Sequence, residues 1–463
     1  MADGIAAQAP QPTEGLTPSQ QRWARLAIFT ALAMASLDTA IANIALPSIA
    51  FDLHATPADV IWVVNVYQIA MVATLLPFGA LGEIIGHQRI YLGGLILFTI
   101  ASVACAFAWS LDTLLFARVL QGLGAAGAMS VNAALVRVVY PPSHFGRGLG
   151  HNALVVATAF TLGPTIASGI LSVATWPWLF AINLPFGLAA IVISLKTLPK
   201  TTRATHRFDF LGALLTSLCL GLLILGIDSA AHHTAPSIVV AELVAGLLFG
   251  WLLLRRQADH PAPMLPIDLF RRPLFALSAA TAVCSFSVQG LAFVSLPFYF
   301  EEVLHRSAVE TGFFLTPWPL VVGIMAPIAG RLSDHYPAGL LGGIGMALLG
   351  IGMVLLATLP PDPSVANIVW RMVICGAGFG FFQAPNMKAI MSSAPAGRSG
   401  GASGIVATAR LTGQSMGAAL AAFCFGLFGH GGATWALALG AGFAALGCVM
   451  SFLRLIVPSS PSH

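Results

Sequence analysis

Long apolar runs alternate with short polar breaks from residue 26 to residue 455. Each run lasts about 20 residues without the strict alternation of a barrel strand, which is the length that crosses a hydrocarbon core as a helix. Fourteen spans are predicted, at 26–49, 60–82, 90–109, 113–139, 149–172, 177–197, 210–229, 237–254, 274–300, 311–329, 339–358, 367–391, 401–428 and 433–455. Connections are short except at 196–209 and 255–273, which mark the natural boundaries. The division that follows is a disordered tail at 1–24, a six-helix half at 25–198, a linker with two extra helices at 199–273, a second six-helix half at 274–456, and a tail at 457–463.

Composition excludes the soluble alternative. Only 8% of residues are charged, against about 25% in a soluble domain. A chain so apolar throughout uses lipid as its solvent, where every backbone polar group must be satisfied within a helix or a closed barrel. The run after Arg22 and Arg25 is too long for a signal-peptide core and carries Asp38, so it reads as a retained helix. The six cysteines all fall inside apolar runs with no CxxC pair, as small hydrophobes would.

Charge placement sets the expected orientation. Of the 21 Lys and Arg residues, seventeen fall in loops or ends on one side, among them Arg89, Arg147, Lys200, Arg203, Arg207, Arg331, Lys388 and Arg398. Arg306 alone falls on the other side, and Arg118, Arg371 and Arg410 lie inside spans. By the positive-inside rule the rich side is cytoplasmic, with both termini there.

The chain also repeats itself. Gly79-Ala-Leu-Gly-Glu83 follows the second span and Gly330-Arg-Leu-Ser-Asp334 follows the tenth. Arginines follow 35 and 37 residues later, Arg118 and Arg371, each opening a Gly-rich helix. Laying Glu83 over Asp334 also lays Asp38 over Gln289. Parallel halves around a midplane site are a transporter architecture.

Two buried charges carry candidate chemistry. Asp38 sits midway along the first span, where an ionisable group is costly and faces a cavity or a partner. It is either a proton-binding group or a structural carboxylate joining neighbouring helices. Arg118 either needs an anionic partner in hydrocarbon or snorkels from its helix end. The acid of the Gly79, Glu83, Gly86, Arg89 loop, beside a basic turn, can form an ion-pair latch that breaks when the halves move, with Asp334 in the second copy. Nothing reads as a catalytic cluster, a metal site or a cofactor site. His232-His233 lacks further ligands at metal spacing, and the Gly-x-Gly runs lack the strand–turn–helix context of a nucleotide fold. No P-loop is present, so ATP is not the expected energy source, and no nucleic-acid partner is expected. Glu301, Glu302 and Glu310 read as an outer-rim acidic patch.

The motifs together resemble the fourteen-helix drug:proton antiporter branch of the major facilitator superfamily. Leu37-Asp38-Thr39-Ala40-Ile41-Ala42-Asn43-Ile44-Ala45-Leu46-Pro47 resembles its first-helix signature. Gly79 to Arg89 resembles the superfamily's signature loop, with Glu83 for its aspartate, Ile84 for the next arginine, and His87 and Gln88 for its basic pair. Gly163-Pro164 opens a stretch similar to the antiporter motif, with Ala167 and Ser168 in place of its glycine pair. Trp176 to Gly187, Phe208 to Gly212, Pro266 to Arg272, Pro385-Asn386 and Arg410 to Gly417 match further family stretches.

The resemblance implies an all-α major facilitator fold of two six-helix halves with two extra central helices, acting as a monomer in the cell inner membrane. It implies that Arg118 tunes a proton-linked Asp38, that Gly163 and Pro164 mark export, and that halves rock around a midplane site. Candidate cavity residues at suitable depth are Asn43, Asn65, Gln68, Gln289, Phe293, Phe381, Gln383 and Gln414. The implied partners are a small lipophilic substrate, protons and the bilayer; the N-terminal tail is too short to supply a periplasmic adaptor covalently. The rivals are export of one metabolite or antibiotic, proton-coupled import, and least of all an embedded enzyme or sensor. Helices 10 and 13 hold no acid, and helix 13 carries Arg410, so the expected substrates are neutral, monocationic or anionic, not dicationic.

Overall fold

A computed structural model describes residues 17–140, 145–199, 201, 208–231, 235–258, 267–393 and 399–456. Lys200, Arg203, Arg207, Arg398, His232 and His233, named above, lie outside the described residues.

The predicted spans and the observed helices correspond one to one. They are α1 (Pro18–Asp52), α2 (Pro57–Ile85), α3 (His87–Ala106), α4 (Leu111–Val139), α5 (Phe145–Leu171), α6 (Pro177–Thr197) and α7 (Phe210–Ala231). The rest are α8 (Pro236–Ala258), α9 (Pro273–Val303), α10 (Ala308–Leu332), α11 (Ala338–Ala357), α12 (Val365–Ser393), α13 (Ser399–Phe428) and α14 (Gly432–Leu453). With an even number of crossings, residues 17 and 456 reach the same face, called here the terminal face.

Local chemistry explains the helix ends. Thr56 caps α2 by accepting from the Asp59 amide, with Pro57 preset for the first turn. Ser110 and Ser307 each close a capping box, the latter with Glu310, so this acid of the expected rim patch is committed to a helix end. Gly86 ends α2 at φ +105°, a backbone geometry that glycine alone adopts without strain. Prolines inside α1, α2, α5, α9, α10 and α12 remove ladder bonds, which neighbouring helices make tolerable in a membrane. After Pro297, α9 widens into a π-turn at Tyr299–Val303.

The two halves are built alike. α3 packs on α4, α2 on α4, α1 on α5 and on α6, and α3 on α6. The corresponding pairs recur as α11 on α12, α10 on α12, α9 on α13 and on α14, and α11 on α14. Small residues permit these approaches. A Cβ on Gly122 of α4 would overlap the Tyr67 carbonyl of α2, and one on Gly376 of α12 would overlap the Trp318 carbonyl of α10. Across the seam, α2 meets α13 and α5 meets α10, again a matched pair. The extra hairpin breaks this symmetry: α7 leans on α2 and α13, while α8 packs chiefly on α7 and is largely exposed to lipid.

One polar knot fastens the second half at the terminal face. The buried Arg454 donates to Asn386 Oδ1 at 2.6 Å and Ser278 Oγ at 3.1 Å, and Asn386 donates to the Ser278 carbonyl at 3.1 Å. It ties α9, α12 and the end of α14 and gives Asn386 of the Pro385-Asn386 stretch a structural task. Burial pulls the Arg454 guanidinium down to about 10, so it stays charged at neutral pH.

The seam between α2 and α4 gives a direct check. Gly122→Val must push two backbones apart and is expected to cost about 1–3 kcal/mol. Gly221→Ala in α7, where a Cβ meets nothing within 4 Å, should leave the thermal unfolding midpoint in detergent unchanged. Equal midpoints for the two variants would contradict the packing described.

Candidate functional site

Asp38 and Arg118 meet in the core of the first half. Arg118 Nη1 lies 2.5 Å from Asp38 Oδ2, and both side chains are essentially sealed from solvent. The arginine is therefore inside the bundle, and the snorkelling alternative fails. It lies about two turns into α4, and α2 walls it in: Arg118 Nε donates to the Val63 carbonyl at 2.8 Å. Its guanidinium also stands 4.1 Å over the Tyr67 ring and 5.5 Å from the Phe180 ring.

The other carboxylate oxygen is held just as firmly. Asp38 Oδ1 accepts from Gln121 Nε2 at 2.8 Å and from Asn183 Nδ2 at 3.2 Å. Gln121 in turn accepts from Arg118 Nη1 at 2.6 Å and donates to Ser102 Oγ at 2.9 Å. Helices α1, α2, α3, α4 and α6 thus each supply a group. Among the described residues Arg118 Nη2 is buried with no hydrogen-bond partner, which leaves this nitrogen to spare in the knot.

Tyr67, Phe180 and Asn183 were not assigned to this site from sequence. The last two lie in the Trp176 to Gly187 stretch, where spacing i, i+3 places them on one face of a helix. A polar Asn beside an aromatic on such a face was the available signal. Trp176 of the same stretch donates to Asp52 Oδ2 at 2.8 Å, tying the start of α6 to the end of α1.

The second half does not repeat the charge pair. Gln289, at the position matching Asp38, accepts from Gln414 Nε2 at 2.9 Å. Arg371, the match for Arg118, stacks 5.2 Å over its neighbour Trp370, with Nε and Nη1 buried and unpartnered. Trp318 stands at the place of Tyr67 and packs edge-on against Phe293, centroids 5.4 Å apart.

Between the halves lie two adjoining small cavities, each of about 10 Å³, room for about one water. Asn43, Gln68, Gln289, Phe293 and Gln414 line the first, with Thr39 and Phe160. Arg410, Met71, Met129 and Leu411 line the second, which shares Thr39, Phe160 and Gln414. Asn65 is buried outside this lining, and Phe381 and Gln383 of α12 do not reach it. Asp38 does not face these cavities either: Thr39 and Asn43 point into them from the adjacent face of α1.

Of the loop residues, Gly79 packs beside Ser130, and Glu83 and Arg89 are exposed. One backbone and one side-chain hydrogen bond tie this loop to the end of the first half. His87 N donates to Thr201 Oγ1 at 2.8 Å and Gln88 Nε2 to the Leu198 carbonyl at 2.9 Å, joining the loop to the end of α6. In the second copy, Lys388 Nζ lies 2.6 Å from Asp334 Oδ1. That hydrogen bond and charge hold the Asp334 carboxyl below its ordinary range, so the contact is present at neutral pH and lost only as pH falls through the lowered value. Because both partners are well exposed, the pair adds little to stability and breaks easily.

Gly163 and Pro164 lie where α5 meets both halves. A Cβ on Gly163 would come 2.5 Å from Ala40 Cβ, two residues past Asp38. Ser168, one of the departures from the motif, donates to the Pro164 carbonyl at 2.9 Å and reaches the Ala308 carbonyl of α10 at 3.4 Å. With the Thr165–Thr316 hydroxyl contact at 3.0 Å, it closes the seam on the face away from the termini.

The buried pair can be tested by a double-mutant cycle. Arg118→Met leaves a carboxylate without its countercharge and is expected to cost about 3–5 kcal/mol. Adding Asp38→Asn should recover part of that loss in unfolding measurements, whereas strictly additive effects would mean the two charges do not interact.

Comparison with known proteins agrees with this architecture. The sequence pattern of the Major Facilitator Superfamily matches residues 28–417. The chain is 49% identical over 449 residues to "Uncharacterized transporter YebQ" of Escherichia coli (strain K12), covering 96% of this chain and 98% of that one. It is 31% identical over 404 residues to the "Riboflavin transporter RibZ" of Clostridioides difficile (strain 630), covering 86% and 87%. A "Tetracenomycin C resistance and export protein" of Streptomyces glaucescens is 32% identical over 400 residues, covering 85% and 74%. The chain is a transporter of the Major Facilitator Superfamily.

Proposed function

We propose that this transporter exports small lipophilic compounds in exchange for protons, by alternating access across the inner membrane, with Asp38 as the proton-binding group. The observation that carries the reading is a carboxylate buried at mid-span whose countercharge, Arg118, is equally buried. Such a pair is costly to keep for stability alone, since apolar residues of similar volume would do as well. A role that uses its charge explains its presence. Protonation of Asp38 removes the anion that Arg118 holds and leaves Arg118 seeking another acceptor.

Substrate and proton then act on adjoining faces of α1. Thr39 and Asn43 face the cavity between the halves, while Asp38 faces α4 and α6. Coupling therefore runs through movement of α1, and the two ligands do not contend for one spot. The seam that would open is the α5–α10 closure around Ser168, at which the export motif sits. Export is further supported by the relative named for tetracenomycin C resistance and export. Transport of a single metabolite is the second reading, favoured by the relative named a riboflavin transporter.

The test is substrate-triggered proton movement in proteoliposomes under an imposed pH gradient, wild type beside Asp38→Asn. Lipophilic anions, monocations, dications and neutral compounds are added in turn. Wild type is expected to move protons with some compounds, and Asp38→Asn to bind the same compounds while moving none. Equal proton movement by the two proteins would remove Asp38 from coupling.

A further inference from the structure

Among the described residues lining the two cavities between the halves, one carries a fixed charge, and it is positive. Arg410 of α13 lines it, partly buried, with Nε enclosed and lacking a hydrogen-bond partner. No ion pair or hydrogen bond to Arg410 occurs among the described residues. The carboxylate that might have answered it, Asp38, is taken up by Arg118, Gln121 and Asn183 and faces elsewhere.

A guanidinium removed from water without an anion is expensive, and the cost falls when a ligand brings one. The walls around Arg410 carry Met71, Met129, Phe160 and Leu411, with the neutral polar groups of Ser36, Thr39 and Gln414 among them. Thioether and aromatic side chains adapt to varied apolar shapes. We infer that, once the halves part and these water-sized cavities widen, Arg410 anchors the acidic group of a lipophilic anion between them, by a charge-assisted bidentate contact, and so selects substrates by negative charge. The inference deepens the proposed function, resting on the central cavity as the substrate path but not on Asp38 as the proton carrier.

The geometry of the anchor also names its auxiliary groups. Ser36 Oγ is buried and unpartnered on the same wall and can donate to a second anionic oxygen. Asn43 Oδ1 and Gln68 Oε1, across the first cavity, are buried acceptors without partners and suit a hydroxyl or amide elsewhere on the ligand.

Three probes of one shape and different charge test this: 2-naphthoate, 2-naphthamide and 2-naphthylmethylammonium. Binding to the purified transporter in detergent, with no gradient, is followed by tryptophan fluorescence up to millimolar probe. Wild type is expected to bind the naphthoate about tenfold or more tighter than the other two. In Arg410→Gln the naphthoate should fall to the level of the amide while the amide is unchanged, and Arg410→Lys should lie between. Undiminished naphthoate binding by a folded Arg410→Gln overturns the proposal. So does a wild type that prefers the ammonium or binds none of the three, a ranking that decides the matter even if Arg410→Gln does not fold. Asp38→Asn separates the two claims: naphthoate binding that survives there while proton movement also survives would leave the anchor standing and the coupling reading fallen.

Discussion

The salt bridge between Asp38 and Arg118 is the constraint around which the first half is arranged. Two opposite charges at mid-membrane depth are tolerable only if nearly every donor and acceptor on them is met. That requirement recruits Val63, Ser102, Gln121 and Asn183, and it explains why α4 crowds against α2 at Gly122 until the Tyr67 ring lies beneath the guanidinium. The one donor left over, Arg118 Nη2, means that the knot is not closed to exchange.

The second half shares the packing of the first but not its charge. Where the first has Asp38, Tyr67 and Arg118, the second has Gln289, Trp318 and Arg371, and no carboxylate meets the arginine in a described ion pair. The halves therefore share a frame, and among the described residues the buried ion pair occurs in the first alone. What the second half offers the cavity is instead a surface, with Phe293 and the Gln289–Gln414 contact, and one unneutralised cation at Arg410. The buried ion pair thus belongs to the first half, while the cavity is lined by both halves, with α1 contributing to each.

Much of this was legible in the chain. The fourteen spans follow from uninterrupted apolar runs, because in lipid the segment length is fixed by the bilayer and leaves little choice. Asp38 and Arg118 were legible because charge at such depth has few innocent explanations. Their supporting groups were harder, since Tyr67 and Asn183 are unremarkable residue types whose contacts depend on which way each helix is rotated. Rotation also separated the cavity candidates: Gln68 on α2 reaches the centre, whereas Phe381 and Gln383 on α12 do not. In the signature loop, the substituted Gln88 reaches the end of α6 with its side chain, which no spacing rule announces.

On the proposed function, Asp38 exchanges its proton within the working protein. Difference infrared spectroscopy of the membrane-reconstituted transporter during a pH titration reads this directly, because a protonated carboxylic acid has a carbonyl stretch that a carboxylate lacks. A band that grows as pH falls, is absent from Asp38→Asn and shifts when a transported compound is added is the predicted result. A titration across the range in which transport operates with no band removed by Asp38→Asn would show that the carboxylate stays ionised beside Arg118, and would contradict its role as the proton carrier.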